Sequence, residues 1–301
     1  MGLVIPAGDG DINTYNLSGS GVTTPIIYYV NGIRVPGRDH AVTASLISLL
    51  TERPVKGVYN KTGGVRLGGL FDLGQCVLDY MQNASARLGS DGLTPTRYIH
   101  DHEIEGLLAH VMRNSIVWNE ATASLFVSLV RNRHAQQKIV AHSQGNLITS
   151  NALFAVERIL GSVALRNIRV YSLASPSPGW PLGLRVSNKG GGRQENAFMN
   201  DFVALLRPQN LLHKVSNLKG LSSLKRYRNA GDFRTHKDTG FVGIDPHDVK
   251  ENMALNFLKS IRNDLNLPTH LSATFLKESA KKAEEAIPVE EKRWWEKLNP
   301  L

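Results

Sequence analysis

Apolar positions along the chain follow two alternating rhythms. Short unbroken runs, the signature of strands buried on both faces, are separated by longer stretches where apolar residues recur at three and four. The first run, Ile26 to Val30 in PIIYYVNGIRV, ends at Asn31-Gly32. HAVTASLISLLTE follows with helical spacing, Asp39 is placed to cap it, and Pro54 stops it. PVKGVYN predicts a second strand, and FDLGQCVLDYMQNA, 100–113 and 118–134 predict helices. QKIVAHS is the third strand, QGNLITSNALFAVERIL a long helix, NIRVYSLAS the fourth strand and NAFMND the fifth. A helix near 247–264 and a charged helical tail, broken at Pro288, complete the pattern. Strands alternating with helices at this spacing predict an α/β fold: a mostly parallel central sheet, right-handed crossovers, and helices on both faces. The organisation expected is a flexible leader (1–24), one core domain (25–265) and a charged helical appendage (266–301).

Composition narrows the class without naming an activity. The 301 residues, 42% hydrophobic and 20% charged, match a globular chain with a sizeable core and exclude a disordered or collagen-like one. No apolar run approaches the ~18 residues that cross a bilayer, and the first residues lack the basic and apolar regions of a signal peptide. The expected location is therefore cytoplasmic, or outside the cell by a route that needs no cleaved signal. A single cysteine, Cys76, excludes an internal disulfide. Metal and phosphate chemistry have no support either. There is no H-E-x-x-H and no CxxC, His100-Asp101-His102 alone is weak, and TGGVRLGG lacks the Lys-Ser/Thr of a phosphate loop. Neither metal nor cofactor is expected.

The chemistry concentrates in Val140-Ala141-His142-Ser143-Gln144-Gly145-Asn146. A serine stands between a β-rich run and an amphipathic helix, with a small residue two before it and a glycine two after. A strand-turn-helix this tight lifts the hydroxyl clear of the sheet and leaves no room for side chains at those flanking positions. The backbone N–H of Gln144 opens the helix and faces the place where an oxyanion would develop. An S-x-G triplet alone also describes an ordinary turn; its place mid-chain, between a clean strand and a clean helix, favours the nucleophile. His142 reads as a packing residue, because neighbours on a strand point to opposite faces.

These residues, with YYVNGI, resemble the α/β-hydrolase family, and within it the lipase, phospholipase and esterase-like members, over roughly 25–265. The resemblance implies an α/β-hydrolase-type fold and a second oxyanion donor at the backbone N–H of Ile33, with Gly32 allowing close approach. Asn31 replaces the histidine common before that glycine. It also implies a chain order of Ser, then Asp or Glu, then His. Asp201 in NAFMNDFVALL fits the acid, although read alone it would also cap FVALL; Asp232 and Asp238 are rivals. His247, on the approach to a helix in GIDPHDVKENMALNFLKSI, fits the base, with His236 as the competitor.

Ser143, Asp201 and His247 would thus hydrolyse a carboxylic ester through an acyl-enzyme. Lipids fall within that class, and thioesters, amides and polyesters would demand the same three residues. Formal charge is +9, and 207–237 carries eight Lys/Arg, one acid (Asp232) and interleaved leucines. As an insert between acid and base it would cover the site mouth and meet an anionic membrane surface; equally, it would be a solvated loop whose leucines pack down. With few aromatics and no reading motif, nucleic acid is not an expected partner. A reading of a different class remains open: a catalytically silent hydrolase-fold protein that binds a partner or membrane through the insert. Reversing Lys225, Arg226 and Arg228 to Glu should lower ester hydrolysis on anionic vesicles and spare a short soluble ester. Equal loss on both substrates would assign the insert to folding.

Overall fold

The computed structural model describes residues 3–33, 35–61, 76–79, 81–83, 102–106, 108–109, 119–173, 175–177, 179–185, 192–198, 233–236, 264 and 273–288. Their strands are β1 (Ile12–Tyr15), β2 (Ile26–Val30), β3 (Val55–Val58), β4 (Gln137–His142), β5 (Ile168–Leu173), β6 (Gly192–Phe198) and β7 (Phe233–His236). The longer helices are α1 (Gly37–Thr51), α2 (Glu120–Arg131), α3 (Gly145–Leu160) and α4 (Ala273–Ala286). Residues 76–79, 81–83, 102–106 and 108–109 are also helical, and Ser162–Asn167 and Leu182–Arg185 form 3-10 turns. Seven strands form one mixed sheet in the order β1-β3-β2-β4-β5-β6-β7. β1 pairs antiparallel with β3, and every other pairing is parallel.

Strand alternation divides the interior in two. Tyr28, Val30, Ile139, Ala141 and Val170 pack with Leu125, Phe126 and Leu129 of α2 and Ile148, Leu153 and Val156 of α3. Their neighbours Ile27, Tyr29, Val140, Tyr171 and Leu173 pack with Ala41, Ile47 and Leu50 of α1 and Ala283 of α4. Because successive side chains point to opposite faces, helices cover both sides of the sheet, and this is why these runs are apolar without alternation. All of β4 is buried, including Gln137 and Lys138. Burial pulls the Lys138 ammonium below its ordinary range, which the Asp264 charge partly offsets. Its Nζ donates to the Asp264 carbonyl at 3.1 Å.

Four elements depart from the sequence pattern. One of them is β7: residues 233–236, expected within the basic 207–237 insert, form a strand that extends the sheet beyond β6. Residues 12–15, expected in a loose leader, form β1, with Tyr15 fully buried and paired to Val55. Asp39 does not cap α1. The helix starts at Gly37 after Pro36, and Asp39 lies in its first turn, where a negative charge suits the helix dipole. A side chain on Gly37 would sit 2.7 Å from the Pro6 carbonyl oxygen, so the leader fixes where the helix begins. β6 begins at Gly192, ahead of NAFMND, through a polar stretch that the apolar pattern does not mark.

His40 on α1 is fully buried among the rings of Tyr15, Tyr29 and Tyr59, at centroid distances of 6.0, 5.1 and 5.3 Å. No described group meets either ring nitrogen in good hydrogen-bond geometry, although the Gly57 backbone lies close beside Nε2. Desolvation pulls its pKa from 6.5 down to about 3, offset only in part by the Gly57 backbone. The unfolded chain therefore binds the extra proton first. The stability contribution of neutral His40 is complete above pH 6.5 and is lost as pH falls toward about 3. Urea unfolding should lose about 1.4 kcal/mol per pH unit across that window relative to His40→Leu. Identical pH slopes for the two proteins would show that His40 is not held neutral.

Candidate active site

The chain runs from β2 to β3 on one side and then returns to place β4 on the other side of β2. A reversal of this kind, at the carboxyl ends of β2 and β4, is the place where open α/β sheets bind ligands. Ser143 follows β4 directly, and Gly32 and Ile33 follow β2. The expected nucleophile thus meets Gly32, the residue before the expected donor Ile33, at a switch point of the sheet.

Ser143 has φ +53°, a left-handed conformation that non-glycine residues rarely adopt. Its backbone N–H donates to the Leu173 carbonyl of β5 at 3.0 Å. Its carbonyl accepts from the Asn146 backbone N–H and from Asn146 Nδ2, both at 3.0 Å. The same Nδ2 donates to the Leu173 carbonyl at 2.7 Å. Among the described residues the Ser143 hydroxyl makes no hydrogen bond. Gln144 stands at the N-cap of α3, and no acceptor among the described residues meets its backbone N–H or that of Ile33.

Close approach explains both glycines. A Cβ on Gly145 would collide with the Val30 carbonyl and lie 2.8 Å from the Asn31 carbonyl oxygen. A Cβ on Gly32 would lie 2.6 Å from Ser143 Cβ and 3.1 Å from its Oγ. The obstacle that keeps the second position small is therefore the end of β2. His142 is buried, on the face opposite Ala141, as strand alternation requires.

Behind the elbow lies a buried polar cluster that the sequence did not single out. Asn60 Nδ2 donates to Gln144 Oε1 at 2.9 Å, and Gln144 Nε2 donates to Asp79 Oδ2 at 2.6 Å. Asn119 Nδ2 reaches the same carboxylate oxygen at 3.3 Å, while Asn119 Oδ1 caps α2 by accepting from Thr122 N. Asn31, Asn60, Asp79 and Gln144 are almost wholly buried. One weak signal existed, an asparagine just past each of two neighbouring strands, in YYVN and GVYN. Cys76, near Asp79 in the chain, is no rival nucleophile. Burial, reinforced by the Asp79 charge, pushes its thiol up to about 11. The thiolate fraction at neutral pH is then only on the order of 10⁻⁴.

Asp201, His247 and most of the 207–237 insert lie outside the described residues. His236 ends β7, with its backbone paired to Phe198 at the end of β6, shortly before Asp201 in the chain. Among the described residues no cluster of His, Cys, Asp and Glu is arranged to hold a metal ion, and no helix is long and apolar enough to cross a membrane. Comparisons with protein-family models, curated proteins and solved structures return no match.

Ser143→Ala and Ser143→Gly both delete the hydroxyl, but only glycine relaxes the positive φ. Ser143→Gly should be the more stable of the two by about 1 kcal/mol in urea unfolding, since the left-handed penalty exceeds glycine's entropy cost. Equal stabilities, or a more stable alanine variant, would remove strain from the description of this turn.

Proposed function

We propose that the chain is a cofactor-free serine hydrolase of α/β-hydrolase type acting on carboxylic esters, lipid esters among them. The observation that carries this reading is the strained backbone of Ser143, at the strand-to-helix turn beside the switch point. Such strain clusters at active sites, where a strand-to-helix turn aims the side chain. The other left-handed non-glycine residue among those described, Glu52, closes α1 at its C-cap, an ordinary place for that conformation. Ser143 attacks the ester carbonyl, and the backbone N–H groups of Gln144 and Ile33 receive the oxyanion, aided by the dipole of α3. His247 takes the serine proton and returns it to the leaving alcohol; Asp201 holds the imidazole tautomer and stabilises the imidazolium. Water then releases the acyl group by the same route. Support for this sheet as hydrolase-type comes from the placement of Ser143 at its centre and of the Asp201 and His247 segments after β6 and β7 in the chain.

A fluorophosphonate probe should label the wild-type protein and fail to label Ser143→Ala. Ser143→Ala, His247→Ala and their double variant should each lose on the order of 10³-fold or more in turnover, because members of such a unit act together. Asp201→Asn should lose less. Activity that survives His247→Ala and vanishes with His236→Ala would transfer the base to His236. An active Ser143→Ala variant would end the hydrolase reading.

A further inference from the structure

A line of buried amides connects the two proposed oxyanion donors and ends on a carboxylate. Asn31 immediately precedes Gly32 and Ile33, and its carboxamide engages the Asn60 backbone from both sides. Nδ2 donates to the Asn60 carbonyl at 2.9 Å, and Oδ1 accepts from the Asn60 N–H at 2.9 Å. Asn60 then donates from Nδ2 to Gln144 Oε1, and Gln144 donates from Nε2 to Asp79 Oδ2, at 2.9 and 2.6 Å. The four residues are 0%, 2%, 1% and 0% exposed, in the order Asn31, Asn60, Gln144, Asp79.

We propose that Asn60 and Gln144 are positioning residues for the oxyanion site, and that Asp79 anchors them. The sheet order makes this more than local packing. β2 lies between β3 and β4, so the bond from Asn60, beyond β3, to Gln144, beyond β4, spans the end of β2 as a crossbar. On one side it fixes the Asn31-Gly32-Ile33 turn, and on the other the N-cap of the elbow helix. The separation of the Ile33 and Gln144 backbone N–H groups is thereby set by side-chain hydrogen bonds.

The carboxylate gives the line its direction. Gln144 presents Nε2 to the Asp79 carboxyl oxygen and Oε1 to Asn60. Asn60 must then present Nδ2. Amides facing only one another have two nearly equivalent orientations; a terminal oxygen that accepts, as Asp79 Oδ2 does, leaves one. The line is buried, and every unmade bond in it leaves a desolvated polar group, which holds the arrangement closed.

This inference rests on Ser143 being the nucleophile, and the experiment separates the two. Wild type, Asn60→Ala, Gln144→Ala and the double variant are compared for kcat and KM on a short soluble ester, for fluorophosphonate labelling rate and for Tm. Each single change keeps both backbone donors but frees them to move. It should lower kcat about 10- to 100-fold with KM within about two-fold, and labelling should slow in parallel. The double variant should be no worse than the worse single, since both cut the same link. A kcat held within about two-fold while Tm falls, or losses that add in the double, would reduce the line to a folding feature and overturn the proposal. If an alanine variant does not fold, Asn60→Ser and Gln144→Met, which preserve more of the side-chain volume, are judged by the same criteria. A wild-type protein that takes no label would overturn the nucleophile reading and this inference with it.

Discussion

The end of β2 and the turn after β4 meet backbone against backbone, Gly145 facing the carbonyls of Val30 and Asn31 and Gly32 facing Ser143. Any side chain at either glycine would force the two strand ends apart. The approach has consequences on both faces of the sheet. It requires β4 to turn sharply, which sets φ of Ser143, and it requires α3 to start at once, which brings its N-terminus to the serine. The same approach leaves Asn31 fully buried at the end of β2, so its carboxamide must find partners inside the protein. Those partners are the backbone groups of Asn60 and the Gly32 carbonyl.

α3 changes character along its length for a related reason. Its first half buries Asn146, Thr149, Ser150 and Asn151 beside Leu147 and Ile148; its second half buries only apolar residues, Ala152, Leu153, Ala155, Val156 and Ile159. Apolar contacts stabilise through area and are nearly indifferent to angle, so the second half fixes the helix against α2 without dictating a rotation to within a few degrees. Hydrogen bonds are directional. Asn146 to the Ser143 and Leu173 carbonyls, Ser150 to the Gly179 carbonyl and Asn151 to the Asp79 carbonyl orient the first half. The end of the helix that meets the candidate site is thus the end located by angle-sensitive contacts.

How far the sequence revealed this depended on the range of each interaction. β2 to β5 and α1 to α4 are legible within a few residues, because burial on one face or two writes a period directly into the chain. β1 is not: INTY offers two polar positions in four, amid glycines and serines, and its partner Val55 lies far along the chain. The polar opening of β6 hid its start in the same way. Ser143 was legible since the turn constrains its immediate neighbours Ala141 and Gly145. Asn60, Asp79 and Asn119 were not, since an asparagine beyond a strand is as common in a solvated turn, and only folding brings it to Gln144. Asp201 and His247 were inferred from chain order, and they lie outside the described residues.

The strain at Ser143 is held by the groups that the turn itself brings together. A non-glycine residue in the left-handed region costs about 1–3 kcal/mol. Both peptide groups flanking the Cα are engaged. The N–H bonds to the Leu173 carbonyl, and the carbonyl accepts twice from Asn146. At about 0.5–1.5 kcal/mol net for each hydrogen bond, these three together match or exceed the penalty before any packing of β4 or α3 is counted. The serine main chain is therefore committed on both sides, while among the described residues its hydroxyl is engaged by nothing. Ser150, buried on α3, differs in both respects: its backbone is helical and its hydroxyl donates to the Gly179 carbonyl.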